Sequence, residues 1–227
     1  GLAGRCRAGT VDFGMKNKGK ESGYIENGTL YIEINGKKNM LLSVRDMQLK
    51  GEHNMLNAMA ASLAASRMGL EIDAVREGLR TFAALEHRLE FVREINGVSW
   101  YNDSKATNVD AVWYGLGGFD KPIILIAGGR DKDSDFSKLY SRVKQNVKAL
   151  ILIGEARKKM ASVLQGAAEI IICSSLHEAV KKAGLVSGSG EVVLLSPACA
   201  SFDMFENYEE RGNQFKKLVE ELADECE

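Results

Sequence analysis

The chain has 227 residues, 45% hydrophobic and 27% charged, the make-up of a globular protein of one large or two modest domains. With 30 Lys and Arg against 31 Asp and Glu, the formal net charge is −1, so neither a nucleic-acid partner nor a membrane surface is expected. The four cysteines (Cys6, Cys173, Cys199, Cys226) show no C-x-x-C spacing, which argues against a zinc site or a disulfide framework and favours a reducing cytoplasm.

From Val11 to about Leu49 the pattern has period two. Asn27-Gly28 and Asn35-Gly36 each interrupt strand-like alternation, and Asn-Gly supplies the two positive φ angles of a type I′ hairpin turn. A small antiparallel meander is expected here. An Ala-rich helix follows over about His53–Met68, stopping near Gly69, and a second helix over about Ile72–Ala83.

Beyond Leu89 the grammar changes. "LEFVREINGVS" alternates like one half-buried strand. The apolar runs "PIILIAGG", "ALILIGE", "EIIICSS" and "EVVLLSPA" then alternate with helical stretches at about Val109–Leu116, Phe136–Val143, Ala156–Leu164, Leu176–Ala183 and Tyr208–Leu222. Continuous apolar strands separated by helices imply a mostly parallel sheet covered on both faces, a doubly wound α/β domain. No apolar run approaches the roughly 20 residues of a membrane span. No signal peptide is legible at the N-terminus. The boundary between the two regions falls at "LEHRLE", near residues 86–89, giving domains 1–88 and 89–227.

Polar residues collect after three of the strands: "NDSKATN" (102–108), "GGRDKDSDF" (128–136) and "SPACASFDMF" (196–205). In open parallel sheets ligands bind beyond the carboxyl ends of the strands, so the three loops are expected to share one crevice. It would hold an acid (Asp103), two lysines (Lys105, Lys132) and hydroxyls (Ser104, Thr107, Ser196, Ser201), with Gly128-Gly129 allowing close backbone approach. Cations with hydroxyl and N–H donors suit a carboxylate or a phosphate. Each residue also has a plain structural use: Thr107 or Asn108 can cap the next helix, and Gly-Gly can be a turn. No G-x-G-x-x-G occurs, which disfavours a dinucleotide enzyme, and no G-x-x-x-x-G-K-[ST] phosphate loop occurs either. In the first region Asn54 and Asn57 share a helix face, and an amide can pair with an adenine edge, although Asn54 taken alone reads first as a helix start. Arg88 stands at the domain junction, where clefts form. No His, Cys, Asp or Glu spacing reads as a metal site.

"GEHNMLNAMAA", "LEHRLEFV", "YNDSKATN", "AGGRDKDSDF" and "LLSPACASFDMFENYEERGNQF" occur in an order that resembles the Mur ligase family, and "NDSKATN" with "SPACASFD" resembles its D-glutamate-adding branch. The resemblance implies a monomeric, cytoplasmic bacterial enzyme of peptidoglycan synthesis that uses ATP and Mg2+. ATP phosphorylates the carboxylate of UDP-N-acetylmuramoyl-L-alanine. The amine of D-glutamate then attacks the acyl phosphate, and a tetrahedral intermediate collapses to amide and phosphate. Residue by residue, the resemblance places Lys132, Thr107 and Ser201 on the D-glutamate carboxylates. Ser104 lies beside them, and Phe202 and Tyr208 give backbone help. It places Asn54, Asn57 and His53 at the nucleotide, Arg88 on the ATP phosphates, Asp103 near the ribose and Lys105 near the phosphates or the acyl phosphate. Glu86 stands where a proline commonly precedes His-Arg, and Tyr208 where phenylalanine is frequent. The family's phosphate loop, magnesium-binding acid and modified lysine are expected upstream of Gly1, which makes residues 1–88 the end of a P-loop-type ATPase domain and the chain alone inactive. The alternatives are a folylpolyglutamate synthetase-like ligase, a non-catalytic module derived from a ligase domain, or, least favoured, a Rossmann dehydrogenase.

Overall fold

A computed structural model describes residues 11–16, 22–47, 52–82 and 85–224. The chain divides into two compact units, Gly1–Ala83 and Ala84–Glu227. Among the described residues, no helix is long and apolar enough to cross a membrane.

The first unit has a four-stranded sheet in the order β1 (Asp12–Phe13), β2 (Ser22–Glu26), β3 (Thr29–Ile34), β4 (Lys37–Ser43). Asn27 and Gly28 have φ of 49° and 72°, and Asn35 and Gly36 of 52° and 72°, so both Asn-Gly pairs turn as their chemistry dictates. The β2–β3 and β3–β4 pairings are antiparallel, but β1 pairs with β2 in parallel, a departure from a pure meander. Polar alternation fixes the face a residue takes, not the direction of the neighbouring strand. Helix α1 (Glu52–Arg67) lays Met59 and Leu63 against Leu30, Ile32 and Leu41. Gly23 permits this, since a Cβ there would stand 3.0 Å from the Met59 Cβ. Helix α2 (Ile72–Thr81) adds Val75 to the same core.

The second unit is a six-stranded sheet in the order β5-β6-β10-β7-β8-β9, formed by β5 (Glu90–Ile95), β6 (Val98–Asn102), β7 (Ile123–Gly128), β8 (Val147–Ile153), β9 (Glu169–Ile172) and β10 (Val192–Leu195). All neighbours are parallel except β5 and β6. The apolar runs are continuous because each central strand feeds two cores. Ile123, Leu125, Leu150, Leu152, Val192 and Leu194 face one, while Ile124, Ile126, Ile151, Ile153, Val193 and Leu195 face the other. Helices α3 (Val109–Leu116), α4 (Tyr140–Asn146), α5 (Arg157–Val163), α6 (Leu176–Val186) and α7 (Tyr208–Asp224) cover them.

Two expectations are corrected. The stretch 89–99 is not one strand but most of a hairpin, β5 turning into β6 at Asn96-Gly97 with φ of 51° and 78°. A third Asn-Gly pair was the signal, hidden inside unbroken alternation. The helix expected over Phe136–Val143 is a 3-10 turn, Phe136–Leu139, running into α4, with Asp135 accepting from the Ser137 N–H at its start.

Candidate active site

Strand β10 lies between β6 and β7, so its following loop touches the loops of both neighbours. The Gly128 N–H donates to the Pro197 carbonyl at 2.9 Å, and Arg130 and Ala200 exchange backbone hydrogen bonds at 2.9 and 3.1 Å. Ala198, held at φ 59°, donates its N–H to the Ala106 carbonyl at 2.9 Å. The three polar loops are therefore one hydrogen-bonded rim. Gly128 and Gly129 let these backbones meet. At Gly128 (φ 115°) a Cβ would fall 2.0 Å from the Ile153 carbonyl oxygen, and at Gly129 (φ 133°) 2.3 Å from that of Ala200. Asp203 closes the far side by accepting the Glu155 N–H at 2.8 Å.

Asp103 is buried. Its Oδ2 accepts from Ser196 Oγ at 2.8 Å and its Oδ1 from the Leu89 N–H at 3.2 Å. Burial pushes its carboxyl up to about 7, against the opposing pull of the Ser196 and Leu89 donors and the Arg88 charge. Ser104 is fully buried as well: its hydroxyl donates to the Tyr208 carbonyl at 2.8 Å and accepts from Arg211 Nε at 2.9 Å. Both Ser104 and Asp103 hold loops together here, and Ser104 is sealed from solvent.

The junction segment is tied to the second unit. His87 and Leu89 occupy the left-handed region at φ 65° and 44°, and Arg88 between them is exposed. The His87 N–H donates to Glu90 Oε2 at 2.9 Å, and its carbonyl accepts the Lys105 N–H at 3.0 Å. Asn102 accepts the Ser104 N–H on its Oδ1, which orients its NH2 group toward His87 Nδ1 at 2.9 Å and Glu90 Oε2 at 3.0 Å. One amide thus joins His87 and Glu90. Lys216 of α7 bridges Glu86 and Glu90 at 3.2 and 3.1 Å, so Glu86 is held by an ion pair.

Of the remaining rim side chains Lys132 and Phe202 are exposed, Lys105, Thr107 and Tyr208 half-buried, and Ser201 buried. The Lys105 ammonium lies 3.7 Å from the centre of the Tyr208 ring, whose edge meets His87 at a centroid distance of 5.9 Å. Asn108, not Thr107, caps α3, accepting the Ala111 N–H at 2.9 Å. The Thr107 hydroxyl, the Ser201 hydroxyl and the exposed Lys132 ammonium make no hydrogen bond with the described residues. Lys132 sits on a turn fixed by Asp131, which accepts the Ser134 N–H at 2.9 Å and pairs with Lys159. Phe202 is 59% exposed beside Ser201. In the first unit, Asn54 and the exposed Asn57 lie in the opening turns of α1; the His53 side chain is outside the described residues. Among the described residues no group of three His, Cys, Asp or Glu could hold a metal ion.

Sequence reasoning missed Arg211, Asn102, Glu90 and Gly212. Arg211 was findable: the spacing Arg211, Phe215, Val219, Ala223 puts an arginine on the buried stripe of α7. Gly212 makes room for His87, whose Nδ1 would lie 2.2 Å from a Cβ there.

Residues 87–199 match the family model described as Mur ligase, glutamate ligase domain. The chain is 43% identical over 225 residues to UDP-N-acetylmuramoylalanine–D-glutamate ligase of Thermoanaerobacter sp. (strain X514), covering 97% of this chain and 50% of that protein. It is 44% identical over 226 residues to the protein of the same name from Caldanaerobacter subterraneus subsp. tengcongensis, covering 98% and 49%. It thus spans about half the length of the curated relatives it matches. Among solved structures, UDP-N-acetylmuramate-alanine ligase of Thermotoga maritima superposes with a TM-score of 0.66 at 19% identity over 94% of this chain and 49% of that one. FolC of E. coli, in complex with DHPP and ADP, does so with 0.61 at 18% identity over 91% and 46%. At these identities the structures speak for the fold alone.

Proposed function

Because this chain belongs to the Mur ligase family, we propose that it forms the amino-acid-binding part of an ADP-forming ligase that joins D-glutamate to UDP-N-acetylmuramoyl-L-alanine in peptidoglycan synthesis. The observation that carries this reading is the rim at the carboxyl ends of β6, β10 and β7. There Lys132, Thr107 and Ser201, one from each loop, offer donors that no described residue uses. D-glutamate brings two carboxylates, and one ammonium with two hydroxyls is a fitting set of partners for them.

In this reading the residues of the rim bind and orient, and the reaction is accelerated by positioning and charge. Lys132 and Ser201 anchor the amino acid while its amine is left free to attack. Lys105, braced on Tyr208, neutralises charge on the transferred phosphoryl group. Arg88, projecting from a bend fixed at both ends, reaches the phosphates of ATP, and Asn54, Asn57 and His53 take the nucleotide base. Asp103 near the ribose and Ser104 near the amino acid act through the loops they hold. ATP supplies the phosphoryl group. Magnesium ligands are assigned to the upstream half that the relatives carry and this chain does not span, and domain boundaries at 88 and 89 are part of the same proposal.

The test is kinetic. In the ligase formed by this chain with such an upstream half, Lys132→Ala should raise the D-glutamate KM by on the order of 100-fold, the loss of a charge-assisted contact of about 2–3 kcal/mol. The ATP KM should change little. Equal effects on both substrates would remove Lys132 from the amino-acid pocket.

A further inference from the structure

Arg211 is a full charge at 1% exposure, and none of its hydrogen bonds goes to a carboxylate. Its Nε donates to Ser104 Oγ at 2.9 Å, one terminal nitrogen to the Ser104 carbonyl at 2.8 Å and the other to the Cys199 carbonyl at 3.3 Å. Ser104 belongs to the loop that carries Thr107, and Cys199 to the loop that carries Ser201. Ser104 in turn donates to the Tyr208 carbonyl at the start of α7, the helix that bears Arg211. A flat, forked cation thus spans two loops and a helix start. Burial is costly for a guanidinium, and here it pulls the group down to about 10, still cationic at neutral pH. An apolar residue on that stripe would extend the core with Phe215 and Val219 at no such cost. The fork geometry is what an apolar residue, or a lysine, cannot supply.

We propose that Arg211 is a positioning residue that fixes the separation of the Thr107 and Ser201 loops, and with it the fit of the amino-acid substrate. The inference about fit rests on the amino-acid site proposed above; the coupling of the two loops does not. Arg211 need not touch the substrate: its effect passes through the Ser104 and Cys199 backbone.

Two measurements separate these claims. In nuclear magnetic resonance spectra of this chain, Arg211→Lys should shift the amide signals of both Thr107 and Ser201, while those of β8 and β9 stay in place. In the ligase formed with the half of the relatives that this chain does not span, the same variant should raise the D-glutamate KM by about tenfold or more, as expected when a group is displaced by a fraction of an ångström, with the ATP KM changed less than about twofold. Should Arg211→Lys fail to fold, Ser104→Ala keeps the guanidinium, deletes one arm of the bridge and is read the same way. A lower melting temperature with unmoved loop signals and an unchanged D-glutamate KM would overturn the proposal and leave Arg211 as a packing residue. If the unsubstituted ligase does not turn over D-glutamate, the functional reading falls, and the resonance shifts alone decide whether the loops are coupled.

Discussion

Asp103, just past β6, accepts from the Leu89 N–H of the junction, 14 residues back, and from Ser196 just past β10, 93 residues on. Its carboxyl is pushed up to about 7 from the ordinary 3.8 mainly by burial. A carboxyl raised in the folded state binds its proton more tightly there than in the unfolded chain. Its contribution to stability is therefore complete below about pH 4 and is lost as the pH rises through about 7. The difference in stability between the unsubstituted chain and Asp103→Asn should accordingly vary with pH in that window, by on the order of 1.4 kcal/mol per unit at the steepest. Urea unfolding at a series of pH values measures this, and parallel curves for the two proteins would refute it. At this scale the sequence was partly readable. The polar bursts after strands were visible, and so was the choice between a cap and a ligand contact at Thr107 and Asn108. That Ser104 faces inward was not readable, because its partner Arg211 is 107 residues away.

At the level of elements, the loops after β6, β7 and β10 act as one body because glycines let backbones meet where a side chain would collide. Gly129 is the sharpest case, with φ 133° and the Ala200 carbonyl oxygen 2.3 Å from where a Cβ would sit. Gly129→Ala should destabilise the second unit by about 3 kcal/mol or more, since it combines backbone strain with a clash against main chain. Thermal or urea unfolding within 1 kcal/mol of the parent, roughly the effect of an ordinary surface change, would contradict that account. The doubly wound sheet was legible because both faces of its strands are covered, so "IILIA" and "VVLL" carry no polar alternation. The placement of β10 between β6 and β7 was not legible, since parallel neighbours are chosen by how the helices pack. The β5–β6 hairpin was legible in principle at Asn96-Gly97, but the alternating pattern runs across the turn without a break.

On the scale of the molecule, the chain spans about half the length of relatives at 43% identity and has no G-x-x-x-x-G-K-[ST] sequence of its own. In the proposed reading the whole reaction draws on groups outside this chain, and the choice of amino acid falls to the rim. The rim is framed by the buried Asn102, Asp103, Ser104 and Arg211, and the Lys132, Thr107 and Ser201 donors suit a small dicarboxylate. The most direct test is ADP release with UDP-N-acetylmuramoyl-L-alanine, offering D-glutamate, L-alanine, diaminopimelate or D-alanyl-D-alanine to this chain alone and to the chain joined to the half of its relatives that it does not span. The joined protein should release ADP with D-glutamate and not with the other three, and the chain alone should release none. Turnover with a different amino acid, or with the chain alone, would contradict the account.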